Sequence, residues 1–313
     1  MPTPTPTIAH AGVDPGDAVR TQPGTCVHGL DLGIMAVMEN DLLLARRAAL
    51  AGAAVGLRYF AALAQLPREL KSDGSVVTEA DRAVEAAIRE VLTDARPGDA
   101  ILGEEEGQSG RGRRRWIVDP IDGTALFVAG DDRWLVLVAL EEAGEIVVGV
   151  AAVPAQGTIW WAQRASGAFR ADFSGPTATD ERRITVDVDG RDVLRGSRLG
   201  VIPTDDELLP GEREMIAPLS VLASTVPWCT HAALLVASGE LDLAIQARGQ
   251  VWDYAATSLI VEEAGGRYSG LDGQTQPTPG PALFARSSLL HAAALEVLRA
   301  GAHPSAEVRV PRR

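Results

Sequence analysis

The stretch WIVDPIDGT, residues 116–124, places two carboxylates, Asp119 and Asp122, directly behind a run of apolar residues that predicts a buried strand. An unpaired buried carboxylate is costly, and two neighbouring ones repel each other unless a cation or a shared proton lies between them. Asp, Pro and Gly are also typical turn residues. The stretch therefore indicates either a solvent-exposed turn or a strand end that binds metal.

The composition is that of a globular protein with enough apolar material for one large domain or two ordinary ones. The chain has 313 residues, of which 46% are hydrophobic and 23% are charged. Its net charge of −13 argues against a nucleic-acid partner, because phosphate backbones require a basic surface. Two cysteines, Cys26 and Cys229, are too few and too far apart for a disulfide framework or a zinc site.

The two ends of the chain lack the pattern of folded elements. Residues 1–34 are rich in Pro, Thr and Gly and predict a disordered extension, and residues 303–313 predict a frayed tail. No run of about 18 apolar residues is present, and a basic segment followed by an apolar core is missing from the N-terminus. We therefore expect a cytoplasmic protein without membrane contact.

The N-terminal half predicts helices followed by an antiparallel sheet. Residues 40–66 are rich in Ala and Leu and end at a proline, and a second helix is predicted to start with Thr78 as its cap. Strands then alternate with tight turns, which is typical of an antiparallel sheet. Of the neighbouring Trp160 and Trp161 in one strand, one is expected in the core and the other towards solvent or a partner.

The C-terminal half alternates short strands with helices, which predicts an α/β arrangement. We therefore predict an N-terminal α+β domain over residues 35–183, with the metal-binding loops, and a C-terminal α/β domain over residues 184–302. The polar segment 172–183 is the expected seam between them.

Further carboxylates stand at the edges of predicted elements. Asp81 lies in the first turn of a helix, Glu104 and Glu105 follow a short strand, and Asp253 starts another helix. Hard oxygen ligands without accompanying His or Cys suit Mg²⁺, with Mn²⁺ as an alternative, and several carboxylates can hold two or three ions. Each group also has a structural explanation, because acids favour the first turn of a helix and GEEEG is typical of a solvated loop.

Four stretches together resemble the inositol monophosphatase superfamily of metal-dependent, lithium-sensitive phosphatases. They are SVVTEAD (75–81), LGEEEG (102–107), WIVDPIDGT (116–124) and VWDYAATSLIVEEAGG (251–266), and they occur in the order of the family. The resemblance covers about residues 38–300. It implies a five-layer αβαβα sandwich, a Mg²⁺-dependent phosphomonoesterase that acts on a small phosphate ester, and a homodimer.

The resemblance also implies a set of metal ligands. Glu104 and Asp119 would hold a first ion together with the backbone carbonyl of Ile121. Asp119, Asp122 and Asp253 would hold a second ion, and Glu104 would contribute to a third, looser site. Two cations that share one carboxylate can activate a water molecule and neutralise a phosphate under attack.

The roles next to the metals also follow from the resemblance. Asp81 and Thr124 would orient and deprotonate the attacking water, with Glu105 in support. Gly123 and Thr124 stand at a predicted helix start, where free backbone N–H groups can bind phosphate oxygens. A side chain at Gly123 would block this close approach.

Three departures from the family pattern concern the substrate. Ala125 and Leu126 replace polar residues after the metal motif, and Gln246 stands where the family usually has Glu. Trp228 and Cys229 replace residues that are usually small or polar, so that Trp228 would narrow the pocket or stack on a substrate ring. We assign Gln246, Trp228 and Cys229 to the substrate-binding site.

The sequence leaves two classes of substrate open. The middle of the chain looks most like the bacterial histidinol-phosphatase branch, whereas the neutral amide of Gln246 gives the amine of histidinol phosphate no charged partner. We favour a histidinol phosphatase, with an inositol or sugar phosphatase as the alternative. A nucleotidase or bisphosphate phosphatase, supported by Trp228, and a pseudophosphatase without turnover are further alternatives.

Overall fold

The computed structural model describes Met1 and residues 39–63, 68–70, 76–190 and 192–302. The rest of the predicted N-terminal extension and the predicted C-terminal tail lie outside these residues, as does the side chain of Thr78, the predicted helix cap. The division at residue 183 into two domains stays a prediction. None of the described helices is long and apolar enough to span a membrane.

The two predicted N-terminal helices are α1 (Asp41–Ala61) and α2 (Glu79–Ala95). Asn40 caps α1, because its side chain accepts a hydrogen bond from the backbone N–H of Leu43 at 2.8 Å. The pattern predicts that α1 continues to residue 66, but the helix ends earlier. Ala62 leaves the helical region with φ −111°, and its N–H bonds to the carbonyl of Tyr59, which closes a tighter turn.

An eight-stranded sheet follows. Its order is β10-β9-β8-β7-β6-β5-β3-β4, and all neighbours are antiparallel except the parallel pair β3 and β5. These strands are β3 (Ala100–Gly103), β4 (Gly107–Ser109), β5 (Arg114–Asp122), β6 (Leu135–Glu142), β7 (Glu145–Val153), β8 (Thr158–Gln163), β9 (Gly167–Ser174) and β10 (Thr177–Ile184), while the ribbon β1 (Arg68–Leu70) and β2 (Val76–Thr78) lies apart. The polar segment 172–183 forms most of the β9–β10 hairpin, so it is an edge of this sheet.

The rest of the chain builds a smaller mixed sheet with the order β12-β11-β13-β15-β14. β11 is parallel to β12 and β13, and the remaining pairs are antiparallel. Its strands are β11 (Arg198–Ile202), β12 (Ser224–Thr225), β13 (Leu243–Gln246), β14 (Arg267–Gly270) and β15 (Ala282–Ala285). The remaining helices are α3 (Thr124–Ala129), α4 (Pro210–Ser220), α5 (Ala232–Ala237), α6 (Val251–Glu263) and α7 (Ser288–Ala302).

The elements stack into five layers. Helices α1 and α2 cover one face of the eight-stranded sheet, and α5 and α6 fill the space between the two sheets. Helices α4 and α7 cover the outer face of the smaller sheet. The central strands of both sheets are therefore buried on both faces, and the predicted αβαβα sandwich is confirmed.

Trp160 and Trp161 illustrate that β8 is covered on both faces. The expectation that one of them reaches solvent or a partner is wrong, because both side chains are buried. Neighbouring residues of β8 point to opposite faces, so Trp160 joins the core beneath α6 and Trp161 faces α1. The guanidinium of Arg46 on α1 stacks over the Trp161 ring at 3.8 Å.

Candidate metal centre and active site

A bulge at the end of β5 brings the two aspartates of the opening stretch to one place. Asp119 pairs with Leu137 and Asp122 with Leu135, so two residues of β5 oppose one residue of β6. In a regular strand, positions three apart point to opposite faces of the sheet. The extra residue of the bulge shifts the alternation by one position, so that Asp119 and Asp122 can point to the same face. The strand tolerates Pro120 there because a bulge interrupts the hydrogen-bond ladder.

Asp253 completes a cluster of three carboxylates. It lies in the first turn of α6, where its Oδ2 accepts a hydrogen bond from the backbone N–H of Gln250. One oxygen from each of Asp119, Asp122 and Asp253 lies within 4.8 Å of the others. Asp119 is 1% exposed, and its Oδ1 has no hydrogen-bond partner among the described residues. The exposed-turn alternative for the opening stretch is therefore wrong.

The electrostatics of the cluster favour a bound cation. Burial, reinforced by the charges of neighbouring carboxylates, raises the pKa of Asp119 and Asp122 well above their usual value. Burial likewise raises the pKa of Asp253 to about 7. Glu104 lies outside the 4.8 Å group found in the described residues, yet its charge contributes to all three shifts. This donor set consists of hard oxygens only, and it fits a hard divalent cation.

Asp81 and Thr124 form a pair beside the cluster. The Thr124 hydroxyl oxygen lies 3.1 Å from Oδ1 of Asp81 and 3.1 Å from the carbonyl oxygen of Ile121, and it donates its single proton to one of them at a time. Asp81 is buried in the first turn of α2. Gly123, the N-cap of α3, has φ +84°, a left-handed conformation that strongly favours glycine.

The loop after β3 carries Glu104 and Glu105, and a buried ion pair holds its backbone. The carboxylate of Glu85, which is fully buried on α2, accepts hydrogen bonds from the backbone N–H groups of Glu105 at 2.8 Å and Glu106 at 3.1 Å. Arg89, one turn later, donates to Glu85 at 2.7 Å and to the carbonyl of Gly107 at 2.6 Å. We call these two side chains the Glu85–Arg89 clamp.

The three proposed substrate residues lie in different settings. Gln246 ends β13, and its Oε1 is buried without a partner among the described residues. Trp228 is buried, its indole N–H donates to the carbonyl of Val201 at 2.8 Å, and Arg133 stacks on its ring at 4.3 Å. Cys229 is exposed. The structure thus gives Trp228 a partner on its ring face that the sequence did not indicate.

His231 is a residue of the site that the sequence reasoning missed. It is the N-cap of α5 and is 4% exposed, and its Nε2 lies 3.7 Å from Oδ2 of Asp122. Burial lowers the pKa of His231 to about 4, so the ring is neutral at neutral pH. No spacing in the sequence relates His231 to Asp122, because the start of α5 and the end of β5 meet only in the folded chain.

Comparison with known proteins identifies the family. A sequence model of the inositol monophosphatase family matches residues 38–307, which is most of the chain. The chain belongs to the inositol monophosphatase family. The resemblance carried by the four motifs is therefore confirmed, and membership of this metal-dependent family makes the chain a phosphoric monoester hydrolase.

Individual relatives agree with this assignment. The chain is 40% identical to a histidinol-phosphatase of Mycobacterium tuberculosis, with 84% of this chain and 99% of the relative covered. It is 38% identical to a histidinol-phosphatase of Streptomyces coelicolor, with 80% and 94% covered. An inositol monophosphatase from Zymomonas mobilis has a similar solved structure, with a TM-score of 0.69, 27% identity, and 84% of this chain and 99% of that chain covered.

Proposed function

We propose that the protein is a Mg²⁺-dependent phosphatase that hydrolyses histidinol phosphate. The observation that carries the metal-dependent part is the buried cluster of Asp119, Asp122 and Asp253, whose oxygens lie within 4.8 Å of one another. Three carboxylates at this separation, one of them with a buried oxygen that has no partner in the described residues, need a cation or protons to offset their repulsion. Histidinol phosphate is supported by the two histidinol-phosphatase relatives.

The residues that would hold the metals are those expected from the resemblance. Asp119 would bridge two ions, with Glu104 and the carbonyl of Ile121 on one side and Asp122 and Asp253 on the other. Glu104 would also take part in a third site. When bound, such cations lower the pKa of a coordinated water and neutralise the phosphate charge.

The neighbouring residues would handle the water and the phosphate. When the Thr124 hydroxyl donates to Asp81, a water molecule held by the Thr124 oxygen would have a buried carboxylate as the acceptor of the released proton. Glu105 would assist from the same loop as Glu104. The backbone N–H groups of Gly123 and Thr124 stand at the start of α3, where they can contact phosphate oxygens.

A second candidate function follows from Gln246. Its buried Oε1 can accept from a hydroxyl group but offers an ammonium group no negative charge. A neutral leaving group such as inositol or a sugar would suit this amide better than histidinol does. A nucleotidase gains less support, because Arg133 already covers a face of the Trp228 ring. A pseudophosphatase stays an alternative, although all of the proposed metal ligands are present in the chain.

The proposal is tested by phosphate release from a panel of esters that includes histidinol phosphate, inositol phosphates, sugar phosphates and adenosine bisphosphates. We expect release from histidinol phosphate that requires Mg²⁺, stops with EDTA and is lost in Asp119→Asn. Release that continues in EDTA would contradict the metal centre. Mg²⁺-dependent release from inositol or sugar phosphates alone would favour the second candidate, and ligand binding without release from any ester would favour the pseudophosphatase. A homodimer and a cytoplasmic location stay part of the proposal.

A further inference from the structure

The ring of His231 is held in one tautomer by the cap of α5. Its Nδ1 accepts a hydrogen bond from the backbone N–H of Ala233 at 3.3 Å. An imidazole nitrogen that accepts a hydrogen bond carries no proton, so the proton of the neutral ring resides on Nε2. The helix cap therefore determines that Nε2 is a donor.

This donor is buried and points towards a carboxylate. Nε2 of His231 has no hydrogen-bond partner among the described residues, and Oδ2 of Asp122 lies 3.7 Å away. A buried polar group without a hydrogen-bond partner destabilises the folded state. The distance exceeds a normal N–H···O hydrogen bond by only about 0.8 Å, which a small side-chain rotation can close.

We propose that His231 is a positioning residue that donates its Nε2 proton to Oδ2 of Asp122 and so directs the other oxygen of that carboxylate to the metal. This inference rests on the proposed function, because it requires Asp122 as a metal ligand. Hydrogen bonds from neighbouring groups fix the orientation of ligating carboxylates, and their loss typically weakens metal binding. His231 thereby links the start of α5 to the end of β5.

A direct role of His231 as a metal ligand fits the geometry less well. Ligation through Nε2 requires the proton on Nδ1, which would remove the acceptor for the Ala233 N–H. Among the described residues, His231 is also absent from the group of side chains whose ligand atoms lie within 4.8 Å of one another. Donation to Asp122 preserves both the cap and the neutral ring.

Two substitutions separate the positioning role from the capping role. Asn is a good N-cap residue, so His231→Asn keeps an acceptor for the Ala233 N–H but has no group that reaches Asp122. Gln is longer, so His231→Gln places an amide N–H near the position of Nε2. The full-length variants are titrated with Mn²⁺, and binding is followed by the loss of the free-ion electron paramagnetic resonance signal, with Tm measured in parallel.

We expect His231→Asn to keep the Tm of the parent and to bind Mn²⁺ about tenfold more weakly. His231→Gln should recover most of that loss even if its Tm is lower. Parent-like Mn²⁺ affinity in His231→Asn would overturn the inference, and so would equal losses of affinity in both variants that follow their losses of Tm. Asp122→Asn in the same titration tests the proposed function separately, because undiminished Mn²⁺ binding by this variant would contradict the proposed metal centre itself.

Discussion

The carboxylate of Glu85 accepts a hydrogen bond from the backbone N–H of Glu105 at 2.8 Å, from a position on α2 where it is fully buried. The same carboxylate accepts hydrogen bonds from the backbone N–H of Glu106 and from the guanidinium of Arg89, so one side chain joins α2 to the loop that carries Glu104. Gly103 permits this contact, because a Cβ at that position would lie 2.1 Å from Oε1 of Glu85. The loop conformation therefore depends on a helix residue that does not reach the metal cluster.

Replacing Glu85 should disturb stability and metal binding together. Glu85→Ala removes the 2.7 Å ion pair of the buried Arg89, which keeps only the longer one to Glu106 at 3.5 Å, and it removes the acceptor of two amides. We expect a loss of about 3 kcal/mol in the free energy of unfolding. Mn²⁺ affinity should fall about tenfold because the Glu104 loop loosens. Chemical denaturation and Mn²⁺ titration measure the two effects. Glu90→Ala, on the exposed side of α2, is the matched control, and unchanged Mn²⁺ affinity in Glu85→Ala would disprove the link.

A methyl group at Gly149 should displace α6. A Cβ at Gly149 of β7 would lie 2.7 Å from the carbonyl oxygen of Ala256, which is backbone and cannot move alone. We expect Gly149→Ala to destabilise the protein by about 1–3 kcal/mol and to weaken Mn²⁺ binding, because α6 carries Asp253. Gly211→Ala in α4 has no atom within 4 Å of the added Cβ and should leave both properties unchanged. Equal behaviour of the two variants would contradict this packing argument.

The metal-free protein should become less stable as the pH rises. The folded-state pKa of Asp253 is about 7, above the ordinary value of 3.8, and the pKa values of Asp119 and Asp122 are also raised. At a pH between the ordinary and the raised pKa, the cluster binds more protons in the native state than in the unfolded chain. The contribution of these three carboxylates to stability is therefore greatest at low pH and is lost as the pH approaches and passes 7.

Thermal unfolding in EDTA measures this dependence. We expect a higher Tm at about pH 5.5 than at about pH 8, recovery of Tm by Mg²⁺ at the higher pH, and a flatter profile in Asp119→Asn. A Tm in EDTA that rises over this range in the parent, with no response to Mg²⁺, would show that the carboxylates do not repel one another in the native protein.

Gln246→Glu should change the choice of leaving group. A carboxylate can form a charge-assisted hydrogen bond with an ammonium group, and we expect kcat/KM for histidinol phosphate to rise about tenfold. Inositol phosphate carries no cation, so it should gain nothing. Steady-state kinetics on both esters, with Gln246→Ala as the control, measure the difference. If the parent already prefers histidinol phosphate strongly and the Glu variant gains nothing, the amine argument for Gln246 is wrong.

The sequence predicted the elements that carry the metal motif, and the layered fold followed from the family resemblance. Asp119 and Asp122 were recognised because a buried strand that ends in two carboxylates is unusual. Their convergence was not predictable from periodicity, since residues three apart in a regular strand point to opposite faces, and only the bulge reverses this. The early end of α1 was likewise not predictable, because the Ala- and Leu-rich pattern continues past Ala62.

The supporting residues were missed for different reasons. Glu85 and Arg89 are four positions apart on α2 and resemble an ordinary surface ion pair, and only burial shows that they hold the Glu104 loop. His231 stands in no motif of the sequence, and its contact with Asp122 depends on tertiary packing. Residues that are far apart along the chain and meet only after folding show no regular spacing, so a single sequence does not predict their contact.

Asp122 ends β5 of the larger sheet, and Asp253 lies in the first turn of α6, which packs against both sheets. A cation held between these carboxylates would close a loop of about 130 residues, as a covalent cross-link does, but reversibly. Withdrawing the ion would therefore remove this cross-link between the end of β5 and the first turn of α6 at the same time as it stops the proposed chemistry.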